Sequence, residues 1–139
     1  MPTPSLPTKI KLEIVTPDRL LLSEEVDEVT IPGTEGYLGI LPGHLPLLTM
    51  IGTGVLSYRK GTQKWALAAS GGFAEVLPDR VIIMADTVER PEEIDVERAR
   101  AAKERAERQL TSKDNVDVPA TMASIMRAQA RIEVAQSNK

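Results

Sequence analysis

The chain has 139 residues, of which 42% are hydrophobic but only 3% aromatic, and its 20 acidic and 17 basic side chains leave a formal net charge of −3. That length suits one medium domain, or one small domain with an appendage, built on an aliphatic core. The absence of cysteine and the single histidine exclude disulfides, zinc–thiolate centres, thiol nucleophiles and histidine-based metal clusters, and the acidic balance argues against a nucleic-acid partner.

The first eight residues, MPTPSLPT, hold three prolines and no apolar signal-peptide core, and are expected to form a flexible lead. No apolar run approaches the roughly 20 residues that cross a bilayer, so no direct bilayer insertion is expected. From 9 to 89 the chain reads as strands. Ile10, Leu12 and Ile14 alternate with Lys11 and Glu13, the period of a half-buried strand. Pro17-Asp18 marks a turn, and Val26, Val29 and Ile31 give a rougher strand pattern in EVDEVTIP. Short apolar pieces follow between glycines and prolines: YLGIL, PLLTM, GVLSY, KWALAAS, FAEVL and RVIIMAD. Pro78-Asp79 reads as a hairpin turn, and Ser70-Gly71-Gly72-Phe73 as a bulge or tight connection. Many short strands at close spacing predict an all-β sandwich or flattened barrel.

The period changes after Glu89, and residues 90–139 read as an α-helical hairpin. Pro91 and the acidic residues behind it open a helix over about 92–112, where the helix dipole favours negative charge. TSKDNVDVP breaks it, and a second helix runs over about 119–136 with Asp117 as its cap. Advancing about 100° per residue, Ala99, Ala102, Ala106 and Leu110 form a narrow stripe of mostly methyl groups, a weak seam per residue. The second helix carries two partial stripes: Ile125, Ala128, Ile132 and Ala135, and Ala123, Met126, Ala130 and Val134. Arg98 and Arg105 stack on the shoulder of the first helix, and Arg127 and Arg131 are neighbours on the second. These arginines are either a solvated face or, with the helices folded together, a cluster converging on a polyanion.

No catalytic constellation is present in the pattern. GTEGYLG lacks the phosphate-loop spacing GxxxxGK[ST], and Ser23, Ser57 and Ser70 lack a GxSxG setting. His44, in PGHLP, reads as a turn histidine bonded to local backbone or as a contact at a partner surface. Asp27 and Glu28 read as charges guarding an exposed sheet edge.

Three blocks in order, EVDEVTIPGTEGYLGILPGHLPLLTMIGTGVL, LAASGGFAEVLPDRVIIMAD and EEIDVERARAAKERAE, resemble the epsilon-subunit family of bacterial F-type ATP synthases, over about residues 9–135. The resemblance implies a β-sandwich that binds the gamma subunit of the central stalk and sits on the membrane rotor ring, with Glu35, Gly36 and His44 in the region of ring and stalk contact. It implies a two-helix hairpin that extends along gamma toward the beta subunit and restrains ATP hydrolysis while the complex couples proton flow to synthesis. It also implies a peripheral position on the cytoplasmic face of the bacterial inner membrane. No cofactor is required. Some members bind regulatory ATP on the folded hairpin through I/L-D-x-x-R-A, matched here by Ile94, Asp95, Arg98 and Ala99, with Glu89, Arg105, Arg127 and Arg131 at further family positions. On that reading Asp95 either accepts from the adenine amino group or orients Arg98. The rival reading is a free-standing nucleotide-sensing module.

Overall fold

A computed structural model describes residues 6–112 and 115–137. Eight strands come first: β1 (Ile10–Val15), β2 (Leu20–Val26), β3 (Glu28–Gly33), β4 (Gly36–Ile40), β5 (Leu47–Met50), β6 (Thr53–Lys60), β7 (Gln63–Leu77) and β8 (Arg80–Glu89). They pair in the order β2-β1-β8-β7-β6-β3-β4, with β5 also on β7. The β1–β8 pair is parallel and every other pair antiparallel. The β2 end of this path curls back toward β6, so that Lys60 of β6 pairs with Glu24 of β2. The result is the β-sandwich expected from the strand pattern, closed over a core of aliphatic side chains in which Ile10, Leu12, Ile14, Ile31, Leu56 and Ile83 are fully buried.

β7 is one strand of 15 residues, where the sequence pattern reads as two. It pairs with β8 from Ala68–Glu89 to Leu77–Arg80 in a single register. Its inward side chains are Leu67 and Ala69 before Gly71-Gly72 but Ala74 and Val76 after, so the alternation reverses phase there. β8 reverses at the same level, from Val81, Ile83 and Ala85 to Val88. On the other side β5 and β6 share one register along β7, interrupted at Gly52, whose carbonyl accepts from Gly71 N–H at 3.3 Å. The strands fold over this line and pass from one layer to the other. Gly71 (φ 71°) and Gly72 (φ 109°) adopt backbone that side-chain-bearing residues avoid, and a Cβ on Gly72 would lie 2.0 Å from the Met84 carbonyl oxygen. No residue is inserted, so the expected bulge is instead a corner.

Two other expectations change. Leu20–Val26 is a strand in its own right, missed because Ser23, Glu24 and Glu25 obscure its alternation. Asp27 and Glu28 do not guard an edge, since β3 lies between β6 and β4. Asp27 instead accepts from Gly61 N–H at 2.6 Å and pairs with Lys9, and Glu28 pairs with Arg59 at 3.2 Å. The Gly61 hydrogen bond, followed by the Lys9 contact, holds the Asp27 carboxyl below its ordinary range of about 3.8.

The strands lead into a 3-10 turn at Pro91–Glu93, then α1 (Val96–Thr111) and α2 (Val118–Ser137). α1 starts four residues later than the expected 92, because Ile94 is extended (φ −92°, ψ 126°) and Asp95 caps the helix. Asp117 caps α2 as expected, accepting from Ala120 N–H at 3.1 Å. α2 lies on β6 and β7, and α1 packs on α2. Ala130 and Val134 meet Ala68, Val55, Ala66 and Ile94 in a small cluster separate from the main core. Ala128 and Ile132, from the other partial stripe, are also buried, so both stripes of α2 are used in this folded hairpin. Met126 is the exception at 50% exposure. The expected flexible lead falls mainly at residues 1–5, and the helix break includes 113–114; both stretches lie outside the described residues.

Candidate functional site

The sequence Ile94-Asp95-Val96-Glu97-Arg98-Ala99 is first of all a helix start. Ile94 is held in the apolar cluster between hairpin and sandwich. Asp95 Oδ1 accepts from the backbone N–H of Arg98 at 3.1 Å, satisfying one of the free donors of the first turn. Ala99, 4% exposed, gives α1 a flat side toward its neighbour. Asp95 thus engages the Arg98 backbone; its carboxylate still borders the cleft described next.

Where the end of β8, the 3-10 turn, α1 and α2 meet, they enclose an open cleft of about 380 Å³. Its lining is Glu89, Glu93, Asp95, Arg98, Ala99, Ala102, Arg105 and Arg131. Arg98 and Arg105 lie two turns apart on α1, spaced so that both face the cleft, and Arg131 comes from α2. Arg131 Nε donates to Glu89 Oε1 at 2.7 Å, with both side chains about one third exposed. Three guanidiniums and three carboxylates surround a floor of alanine methyls. The volume lies within the range of small-molecule sites, roughly 300–1,000 Å³.

Arg127 stands apart from this group. Its Nη2 donates to Ser124 Oγ at 3.1 Å, and it borders a neighbouring crevice with Thr53, Ser70 and Thr87. Glu89 and Arg131 line both spaces. The free volume of the crevice, about 10 Å³, takes no more than a water-sized group. The structure therefore brings together Glu89, Asp95, Arg98, Ala99, Arg105 and Arg131, sets Arg127 beside them, and packs the half-buried Ile94 behind them.

Sequence reasoning missed Glu93. Read as part of a regular first turn it had no distinct direction; the 3-10 turn and the extended Ile94 carry it to the cleft, where it also approaches Arg90 and Arg19 at 3.9 and 3.6 Å. The break before Asp95, a strong cap residue three before Arg98, was the available signal.

Glu35 lies in the β3–β4 turn and Gly36 opens β4, beside a groove shared with Tyr37, Leu47 and Thr49. His44 is in the β4–β5 loop and outside that groove; its Nδ1 lies 2.6 Å from the Leu45 carbonyl oxygen, which places a proton on Nδ1. A different feature is prominent on the sandwich. Met50, Phe73 and Met84 lie opposite one another across β5, β7 and β8 and are 56%, 49% and 44% exposed. Leu48, 67% exposed, extends this row. Contiguous apolar side chains in water on an outer sheet face mark an interaction surface. Among the described residues no group of three or more His, Asp or Glu is arranged to hold a metal ion, and no helix is long and apolar enough to cross a membrane.

Residues 9–91 match the family profile described as "ATP synthase, Delta/Epsilon chain, beta-sandwich domain", and residues 92–136 match "ATP synthase, Delta/Epsilon chain, long alpha-helix domain". The chain is 47% identical over 131 residues to an ATP synthase epsilon chain of Solibacter usitatus, covering 94% of this chain and 98% of that one. It is 51% identical over 129 residues to that of Syntrophobacter fumaroxidans, covering 92% and 96%. Among solved structures it resembles a chain of the Euglena gracilis mitochondrial ATP synthase, in an assembly of OSCP, F1 and c-ring. There the TM-score is 0.83 at 29% identity, over 96% of this chain and 84% of that chain.

Proposed function

Because the chain belongs to the ATP synthase delta/epsilon family, we propose that its helical hairpin is a nucleotide-controlled brake on ATP hydrolysis. As an epsilon chain it is a non-catalytic part of the central stalk. The observation that carries the proposal is the cleft in which arginines of both helices meet the carboxylate that ends β8. A nucleoside triphosphate in that cleft takes its phosphates to Arg98, Arg105 and Arg131, with Arg127 at the border. Charge-assisted hydrogen bonds from two helices to one polyanion tie them together. Glu89, Glu93 and Asp95 are acceptors for the amino group of the base. Such a ligand binds the folded hairpin better than an opened one, so it shifts the population toward the folded state.

Without nucleotide the hairpin is held to the sandwich by a small cluster, of which Ala68, Ala130 and Val134 are the buried members, and by the partly exposed Glu89–Arg131 pair. That is a modest restraint. A released hairpin extends along gamma and presents its arginines to the beta subunit, which stops hydrolysis. The sandwich docks on gamma through the exposed Leu48, Met50, Phe73 and Met84 face, and Glu35, Gly36 and His44 stand toward the rotor ring. On this reading the chain is peripheral, on the cytoplasmic face of the membrane, where proton flow turns the rotor.

Calorimetric titration with ATP tests the ligand: a saturable heat is expected, and it disappears in Arg98→Ala and Arg131→Ala. No heat at millimolar ATP retires the nucleotide site. For the brake, deleting residues after Val88 is expected to raise hydrolysis by the assembled enzyme while assembly persists; an unchanged rate rejects it.

A further inference from the structure

A second cleft, of about 350 Å³, opens at the mouth of the sandwich where β2 approaches β6 and β7, and none of its lining residues belongs to the nucleotide cleft. Its inner wall is Leu22, Leu67 and the stacked pair Tyr58–Trp65, whose rings lie 5.2 Å apart at 15°. In a chain with four aromatic side chains, one Trp, two Tyr and one Phe, two are gathered here. Burial against this wall raises the Tyr58 phenol above its ordinary range, a sign of how far the floor is removed from water.

The half-buried charges at the mouth are Lys60, Arg90 and Glu24. Lys60 pairs with Glu24 and also sits over the Trp65 ring at 5.5 Å. Arg90 donates through Nη2 to the Leu21 carbonyl at 2.8 Å, and its nearest carboxylate, Glu93, is 3.9 Å away and outside the cleft. Glu92 is at the exposed rim. Two cations and two carboxylates line the cleft, but Glu92 stands exposed at the rim, so Arg90 is left beside the apolar and aromatic floor with no carboxylate of the cleft paired to it.

We propose that this cleft binds a small aromatic monoanion, its ring against Trp65, Leu22 and Leu67 and its acid group on Arg90 and Lys60. A low-dielectric floor with a nearby guanidinium suits such an amphiphile: the ring gains by leaving water and the acid gains a charge-assisted hydrogen bond. The outer wall is Arg90-Pro91-Glu92, the link between β8 and the hairpin. A bound molecule therefore touches both the sandwich and the link, and favours the arrangement in which the two enclose it.

The test uses 2-naphthoate as probe and the indole N–H resonance of Trp65, the one tryptophan in the chain, as reporter. Titration of the full chain is expected to shift that resonance saturably. The uncharged 2-naphthamide is expected to bind about tenfold more weakly, as are Arg90→Met and Lys60→Met, the loss of one charge-assisted bond. Arg98→Ala is expected to leave the titration unchanged. Saturation is expected to slow hydrogen exchange at the amides of Glu93 and Ile94, which donate to Arg90 and Pro91 carbonyls at 3.0 and 3.2 Å in the turn. The naphthamide comparison needs no variant and so is independent of folding. A linear, non-saturating shift, or equal binding of acid and amide, overturns the site; saturation with unchanged exchange overturns its hold on the link.

Discussion

Arg131 of α2 donates to Glu89 at 2.7 Å, so the last residue of the last strand grips the second helix across 42 positions of sequence. The first helix and the turn lie between them in the chain, yet the fold brings the two side chains together at the border of both spaces that hold the hairpin arginines.

Glu89→Gln is expected to loosen the hairpin without unfolding the sandwich. A partly exposed ion pair contributes about 0.5–1 kcal/mol, equivalent to a two- to fivefold rise in the opened population. Scattering of the isolated chain in low salt is expected to show a larger radius of gyration than wild type, the gap narrowing as salt rises. Identical radii at every ionic strength would mean that the pair does not restrain α2.

Val134→Ala removes two methyl groups from a fully buried position between α2 and the sheet. A loss of about 2 kcal/mol is expected from the buried area and the cavity left behind. The loss belongs to docking of the hairpin, so exchange protection in α1 and α2 is expected to fall while protection in β1 and β8 is retained. Equal loss in strands and helices would show that hairpin and sandwich unfold as one unit.

Asp95→Ala and Asp95→Asn separate two roles of one side chain. The alanine variant loses the bond to Arg98 N–H, at a cost of about 1 kcal/mol and with fraying of the first turn of α1. Asparagine keeps a capping oxygen and removes the charge. Helicity is therefore expected to fall in the first variant and hold in the second. Should ATP affinity fall only in the alanine variant, capping explains the residue; a fall in both assigns the charge to the ligand.

Acid stability follows from Asp27. Its folded pKa is depressed by Gly61 N–H and Lys9, so its contribution is present above the unfolded value near 3.8 and is lost as pH falls through the folded one. Asp27→Asn is expected to flatten the acid limb of a denaturation profile below about pH 4. An acid limb that matches wild type would remove Asp27 from the balance.

Gly72→Ala is expected to be far more damaging than an ordinary surface change. At φ 109° a Cβ would lie 2.0 Å from the Met84 carbonyl and 2.8 Å from Ala85 Cα, both backbone. The β7–β8 pair must separate at the corner, with a loss of several kcal/mol on the scale of strained backbone and broken ladder bonds. A thermal midpoint within a few degrees of wild type would contradict the corner geometry.

The architecture was legible where one physical rule acted alone. Ile10, Leu12 and Ile14 face the core throughout β1, and their period identified it. The period failed at β7 because the strand changes layers, which reverses the phase at Gly71-Gly72 and made KWALAAS and FAEVL look like separate pieces. It failed at β2 because three polar residues in a row mask Leu22 and Val26, and a register shift against β1 buries Leu21 while leaving Leu20 exposed. In the hairpin, helical spacing placed Arg98 and Arg105 together and Arg127 beside Arg131. Arg127 nevertheless borders a different space, since small angular differences on a helix decide which of two neighbouring cavities a long side chain enters. Glu93 depended on three residues leaving helical geometry, information carried by a cap and an extended residue, with no period to reveal it.

The corner in β7 has a mechanical meaning. Because one chain segment runs unbroken through both layers, with β8 bonded along nearly its whole length, the layers cannot slide past each other without rupturing a ladder of backbone bonds. A load entering one face of the block is carried to the opposite face along that ladder, and the chain leaves it for the helices through a single three-residue turn.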